Sequence, residues 1–200
     1  MTEKSLKADA GNVADLDGRR LRSERSREDI IQALFKLVRG GTPVPSAAQV
    51  AEEANVSLRT VFRHFEEMDS LYAEMGKQVG AQIFPQIFQP YKSSDWRDRF
   101  HEAIDRYAIV YEDIMPLRIS SRILRHQSEY LKSEHERVLD LEFSRIVTLL
   151  PKELRKDDEL TYGLDVVMSF DVWRRLRIDR GLSVEEARDT VRRVVDSLIR

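Results

Sequence analysis

The segment 46–65, SAAQVAEEANVSLRTVFRHF, constrains the fold of this chain more than any other part of the sequence. Ser46 is suited to N-cap a helix, and Gln49 three residues later completes a capping box. Asn55 stands where the chain must turn, because asparagine tolerates a left-handed backbone better than most residues. Ser57 can cap a second helix. Small apolar residues at helical spacing allow close packing of the first helix: Ala47, Val50, Ala51 and Ala54.

The second helix of this segment has two different sides. At about 100° per residue, Val61 and Phe65 share one side, whereas Arg59 and Arg63 face away from it. One side can therefore pack inward while the other enters the major groove of DNA, as in a helix-turn-helix. A generic pair of packed helices is the alternative interpretation of the same pattern.

The segment resembles the DNA-binding signature of the TetR family of bacterial transcriptional regulators. That signature begins with Thr or Ser, continues through an Ile/Val-Ala pair and Ala-Gly-Val-Ser, and ends near Leu-Tyr-x-His-Phe. The resemblance implies an all-α protein with an N-terminal three-helix DNA-binding domain. It also implies a C-terminal helical domain that binds a small molecule and forms homodimers. The matching residues are Ser46, Val50, Ala51, Ala54, Asn55, Val56, Ser57, Val61, Phe62, Arg63, His64 and Phe65.

Three positions depart from the family pattern. Asn55 replaces the usual glycine, which we expect to cost little. Phe62 stands where tyrosine is usual, so the hydroxyl that the resemblance would direct to a phosphate is missing. Met68 lies where a lysine is common, directly after Glu66 and Glu67. Because neutralised phosphates supply much of the affinity for DNA, we expect weaker or more salt-sensitive binding.

The DNA contacts are expected from one side of the second helix and from the two caps. Contacts to base edges or the groove are predicted for the exposed side of this helix and its start: Leu58, Arg59, Thr60 and Arg63. An arginine there can bind O6 and N7 of guanine with two hydrogen bonds. By resemblance, Ser46, Phe62 and His64 match positions that contact the DNA backbone, although His64 can instead serve helix packing. The predicted DNA-binding set is Ser46, Ser57, Leu58, Arg59, Thr60, Phe62, Arg63 and His64.

A basic segment precedes the first predicted helix. Residues 18–27 contain five arginines and one glutamate, although the net charge of the chain is −2. Such a segment can bind phosphates or enter a minor groove, or it can be a solvated tail. We predict a disordered basic arm over residues 1–24 and a helix-turn-helix domain over 25–68. An effector-binding and dimerisation domain is predicted over 69–200.

Helical periodicity continues to the end of the chain, and we expect about nine helices. The last two are predicted near residues 157–180 and 184–199, separated by Gly181. Ser183 and Glu186 form a capping box for the final amphipathic helix, which can pack internally or against a partner. The resemblance favours a homodimer through these two helices. A symmetric dimer would place its two DNA-contacting helices about 34–36 Å apart, which implies double-stranded DNA with a palindromic operator.

The effector site is harder to locate. A pocket needs a few oriented polar groups in an apolar cavity, and such a cavity would suit a small, largely apolar molecule. Aromatic and methionine residues at helical spacing belong to the core more often than to a ligand pocket. For the polar candidates, a surface or salt-bridged role is at least as good an interpretation as a ligand contact. The ligand-binding candidates are Tyr107, Tyr111, Arg122, His126, Met168 and Asp171.

Sequence patterns of enzymes and of cofactor sites are absent. The four histidines have no close metal-ligand spacing, and the chain has no nucleophile elbow and no Gly-rich phosphate loop. We therefore expect no catalytic residue, no cofactor and no metal. The absence of cysteine and of an apolar run of about 18 residues leads us to expect a soluble, cytoplasmic protein without a membrane partner.

The most direct interpretation is a ligand-responsive transcriptional repressor. The alternative is a helical ligand-carrier or interaction module that has lost sequence-specific DNA binding. Phe62, Met68 and the pair Glu66 and Glu67 support this alternative. Selectivity for a palindrome would separate the two functions.

Overall fold

The computed structural model describes residues 3–200, with side chains from Arg20 onward, and its regular elements are all helical. This confirms the predicted all-α class with about nine helices. The α-helices are α1 (Glu3–Arg39), α2 (Ala47–Glu53), α3 (Leu58–His64), α4 (Met68–Ile87), α5 (Trp96–Leu124), α6 (Glu129–Leu149), α7 (Asp158–Met168), α8 (Phe170–Arg174) and α9 (Val184–Leu198). A 3₁₀ turn, Leu154–Lys156, precedes α7, and a π-helical turn, Arg175–Asp179, follows α8.

The chain divides into two compact units, Met1–Met75 and Gly76–Arg200, which we call unit 1 and unit 2. The division lies inside α4, whereas the domain boundary was predicted at its start, after residue 68. The first turns of α4 belong to unit 1, where Glu74 forms a 3.2 Å ion pair with Arg27 of α1.

Helix α1 begins earlier than the sequence indicated. We predicted a disordered arm over 1–24, whereas the helix is assigned from Glu3. The segment 3–24 contains no proline and many strong helix formers, so the helix can extend through it. Residues 1 and 2, and the side chains of residues 3–19, lie outside the described part of the chain.

The core of unit 1 joins the first three helices and the start of the fourth. The apolar stripe of α1 is buried and packs against α2 and α3. Val61 of α3 is 1% exposed, so this side of α3 is fixed against the core. The buried apolar side chains of unit 1 are Ile30, Ile31, Ala33, Leu34, Phe35, Val38, Val50, Ala51, Val61, Phe65, Leu71, Tyr72 and Met75.

The turn between α2 and α3 depends on Asn55, whose φ of 53° is in the left-handed region. The N–H of Val56 donates to the carbonyl of Ala51 at 2.9 Å, which closes the end of α2. The predicted left-handed turn residue is therefore confirmed. This geometry sets the direction in which α3 leaves the turn.

Substitutions of Asn55 should separate backbone strain from side-chain contacts. We expect Asn55→Val to lower the free energy of unfolding by about 1–2 kcal/mol, because a β-branched residue is strained at positive φ. Asn55→Gly should be at least as stable as the parent protein, since glycine adopts this conformation freely. Urea unfolding of both variants checks this. Equal stability of the valine and glycine variants would contradict the strain argument.

Unit 2 is organised around α5, which contacts α6, α8 and α9. The predicted final helix is confirmed: the hydroxyl of Ser183 accepts from the N–H of Glu186 at 3.2 Å, and the glutamate carboxylate accepts from the N–H of Ser183 at 2.8 Å. The buried side of α9 packs against α5 and α7 through Ala187, Val191 and Val195. Among the helices of the described residues, none is long and apolar enough to cross a lipid bilayer.

The helix predicted over 157–180 is interrupted, which corrects the sequence interpretation. Ser169 has extended backbone angles, φ −68° and ψ 154°, and separates α7 from α8. Its hydroxyl accepts from the N–H of Val172 at 3.3 Å, so it caps α8. The hydroxyl of Tyr111 donates to the carbonyl of Met168 at 3.1 Å, which satisfies an acceptor that the break leaves free.

Candidate nucleic-acid interface and apolar cavity

The start of α2 is held by the capping box predicted from the sequence. The hydroxyl oxygen of Ser46 accepts from the N–H of Gln49 at 3.2 Å, and the amide oxygen of Gln49 accepts from the N–H of Ser46 at 2.9 Å. Ser46 is exposed, but its hydroxyl also donates to Gln49 at 3.0 Å. A contact from this hydroxyl to a DNA phosphate would replace that hydrogen bond.

The start of α3 is fixed by Ser57 in the same way. Its hydroxyl oxygen accepts from the N–H of Thr60 at 3.1 Å, and the two hydroxyl oxygens are 2.9 Å apart. The hydroxyl group of Thr60 is therefore already paired with that of Ser57. This leaves less hydrogen-bonding capacity at Thr60 for a base edge than the sequence suggested.

The outer side of α3 carries two neighbouring rows of side chains. Arg59 and Arg63 are exposed and, within the described part of the chain, form no ion pair. Leu58 and Phe62 form the second row and are 45% and 46% exposed. Each pair is spaced by four residues, so its members lie one above the other on the helix. We call this surface the α3 face: Leu58, Arg59, Phe62 and Arg63.

His64 lies at the end of α3 in a different environment. Its Nε2 atom is buried and has no hydrogen-bond partner among the described residues. Burial, and then the positive charges of Arg63 and Arg27, hold the pKa of His64 below its ordinary value. The lowered pKa favours the neutral ring, and this environment favours the packing alternative for His64 over a charged phosphate contact.

The arginines of the basic segment, residues 18–27, lie in different environments. Arg27 lies 4.9 Å from the ring centroid of Phe65 and pairs with Glu74, so it stabilises the packing of unit 1. Arg20 pairs with Glu24 at 3.1 Å. Arg22 and Arg25 are exposed and lack an ion pair with any described residue, whereas Arg19 lies outside the residues with described side chains.

Negative charge lies next to the α3 face. Glu66 and Glu67 are exposed in the short connection before α4, and Met68 is the first residue of that helix. The carbonyl of Glu67 accepts a hydrogen bond from the hydroxyl of Ser70 at 2.7 Å. The two carboxylates remain accessible, and they would oppose a phosphate group at this end of the surface.

Unit 2 contains a small apolar cavity of about 10 Å³, roughly the room of one water molecule, beside the break between α7 and α8. Three of the predicted ligand-binding residues, Tyr107, Tyr111 and Met168, line it. Burial raises the pKa of Tyr107 to about 12 and raises that of Tyr111 well above its usual range, so both phenols remain protonated at neutral pH. The lining residues outside the predicted ligand-binding set are Ile104, Val167, Ser169, Trp173 and Val191.

The other three ligand-binding candidates lie away from this cavity. Arg122 and Asp171 form an ion pair with each other and are both exposed. His126 is exposed just after the end of α5. Arg122 and Asp171 therefore match the salt-bridged alternative, and His126 matches the surface alternative. Within the described chain, no group of three or more His, Asp and Glu side chains is arranged to hold a metal ion.

Comparison with known proteins gives one structural relationship. No protein-family model matches the chain, and no curated protein matches its sequence. The structure is similar to the crystal structure of a transcriptional regulator from Rhodococcus sp. Rha1, with a TM-score of 0.68 and 14% sequence identity. The match covers 86% of this chain and 95% of that chain. At this sequence identity the similarity shows a common fold.

Proposed function

We propose that this protein is a TetR-type transcriptional regulator that binds a palindromic operator as a homodimer and is released by a small molecule. The observation that carries the proposal is the α3 face, where Arg59 and Arg63 project from the second helix of a helix-turn-helix without an ion pair to any described residue. The turn before α3 and the start of α3 are built locally, by the left-handed Asn55 and by the cap from Ser57. The signature resemblance and the fold of the Rhodococcus regulator support the same function, and we propose no enzymatic role.

The chemistry of the α3 face suits the major groove. Guanidinium groups can bind guanine O6 and N7 or bridge to phosphates, and a helix of this size fits the groove. Because the chain as a whole carries a net charge of −2, its attraction to DNA must come from local positive charge. Arg59 and Arg63 supply that charge on the α3 face, and the exposed Arg22 and Arg25 can add to it.

The proposed dimer contact is an apolar surface on α7 and α9, which pack against each other. Tyr162 and Val166 of α7 are 58% and 62% exposed, and Val194 and Leu198 of α9 are 40% and 38% exposed. We call these four residues the α7–α9 patch. A Cβ atom at Gly163 would lie 3.6 Å from Cδ1 of Leu198, so the two helices approach closely here. A two-fold axis would pair this patch with its own copy.

The cavity is the proposed effector site, for a small and largely apolar molecule. Its volume of about 10 Å³ is far below the roughly 300 Å³ at which ligand pockets usually begin, so binding would have to push side chains apart. Val167 of α7 and Val191 of α9 belong to its wall, and these helices also carry the α7–α9 patch. An effector would thus act on the dimer contact, and it can change DNA affinity only through different affinities for the two states.

Selection of random duplex DNA on the purified full-length protein tests this function. We expect enrichment of a palindrome that binds much more tightly than scrambled DNA of equal length. Titration at several salt concentrations should show that affinity falls as salt rises, with a slope set by the number of phosphates that the basic side chains neutralise. The operator obtained in this way then permits screening of apolar compounds for release from DNA.

The same experiment has a clear contrary outcome. If folded, dimeric protein enriches no sequence, the helix-turn-helix has lost specific binding and the carrier or interaction module becomes the better description. Reversion of the departures from the family pattern, Phe62→Tyr and Met68→Lys, would then be expected to restore some affinity. Tight binding that is insensitive to salt would contradict the argument about phosphate neutralisation.

A further inference from the structure

We propose that the apolar row of the α3 face, Leu58 and Phe62, recognises thymine through its 5-methyl group. This inference rests on the proposed function, because it requires α3 to enter the major groove of DNA. It assigns Phe62 to base recognition, whereas the family resemblance alone would place that position at the DNA backbone. The expected half-site then combines thymines opposite the apolar row with guanines opposite Arg59 and Arg63.

The exposure of the two side chains is the first observation behind this inference. Leu58 and Phe62 are 45% and 46% exposed, although Val61 on the core side of the same helix is 1% exposed. An isolated exposed apolar side chain is ordinary on a protein surface. Here two large ones lie four residues apart on a seven-residue helix, directly beside Arg59 and Arg63. Positive charge therefore brings DNA to the same surface that carries the apolar row.

The chemistry of the α3 face is the second observation. Phe62 has no hydroxyl and cannot donate to a phosphate, so its ring can contribute only apolar contact. The hydroxyl of Thr60 is already paired with Ser57 at 2.9 Å, which leaves hydrogen bonding on this surface mainly to the arginines. Thymine alone among the four bases presents a methyl group in the major groove. Opposite any other base, an apolar side chain would cover polar groups without satisfying them.

The test uses the selected operator with single thymines replaced by deoxyuridine, which removes only the methyl group. We expect a loss of affinity of about 3- to 10-fold at one or two thymines in each half-site, the scale of one buried methyl group. For Leu58→Ala or Phe62→Ala, the thymine operator should bind more weakly, and the same deoxyuridine replacement should have little further effect. Circular dichroism should show unchanged helix content, because neither side chain belongs to the buried core of unit 1.

A matched control is available on the same unit. Val44 is 46% exposed but lies outside α3, so Val44→Ala should keep the full difference between thymine and deoxyuridine. If a palindrome is selected but no deoxyuridine replacement weakens binding, the thymine proposal is overturned and the proposed function stands. The same holds if the Phe62→Ala and Leu58→Ala variants both keep the full discrimination. If no palindrome is selected, both proposals fail together.

Discussion

The double variant Arg59→Ala/Arg63→Ala is expected to lose sequence-specific DNA binding. Each arginine that binds guanine through two hydrogen bonds contributes about 1–3 kcal/mol of discrimination, so both together account for roughly a 30-fold to 10⁴-fold change in affinity. The fold should survive, because both side chains are exposed and neither has an ion pair with a described residue. Titration of the selected operator and of scrambled DNA, at one fixed salt concentration, measures the effect.

The comparison between the two DNAs decides what the arginines do. We expect the operator to lose far more affinity than scrambled DNA, and Arg59→Ala alone to relax the preference at one base of the half-site. Arg175→Ala/Arg180→Ala is the matched control, since it removes two exposed positive charges from unit 2 instead. Equal losses on operator and scrambled DNA would show that Arg59 and Arg63 neutralise phosphates without contacting base edges.

The helix-turn-helix could be predicted in detail because its determinants are local. The capping box of Ser46 and Gln49, the left-handed Asn55 and the cap at Ser57 each involve residues within a few positions of one another. Such hydrogen bonds depend on backbone geometry that the sequence spacing already defines. The final capping box at Ser183 was predicted for the same reason.

Features that depend on distant contacts were not predictable. The break at Ser169 is stabilised by a hydrogen bond from Tyr111 to the carbonyl of Met168, across a separation of 57 residues in the chain. Helical periodicity showed that Tyr111 and Met168 face inward, but it could not show that they line one cavity. It also could not reveal that Arg122 and Asp171 pair with each other on the surface.

His64 illustrates how a motif match and a local environment can disagree. The signature places a histidine at this position, and resemblance gives it a phosphate contact. The structure instead buries Nε2 beside two arginines, which lowers the pKa of the ring. Its phosphate contact stays a prediction, and it would require the side chain to turn outward.

Val166→Asp is expected to convert the proposed homodimer into monomers. A carboxylate in the α7–α9 patch would lie against its symmetry mate in an apolar contact, and each dimer would contain two. Burial of an unpaired charge costs several kcal/mol, so we expect the dimer dissociation constant to rise by about 100-fold or more. Val166 is 62% exposed within one chain, and the fold of the monomer should therefore tolerate the substitution. Sedimentation velocity measures the oligomeric state.

Ile109→Asp is the matched control, because Ile109 is 64% exposed on α5 and lies outside the α7–α9 patch. It should leave the dimer intact. The Val166→Asp monomer should bind the palindrome with much lower affinity, since a single α3 contacts only one half-site. If Val166→Asp remains a dimer that binds the palindrome normally, the contact between copies lies elsewhere. The wall residues Val167 and Val191 would then no longer connect the cavity to dimerisation, and an effector bound there would have to act on DNA affinity by another route.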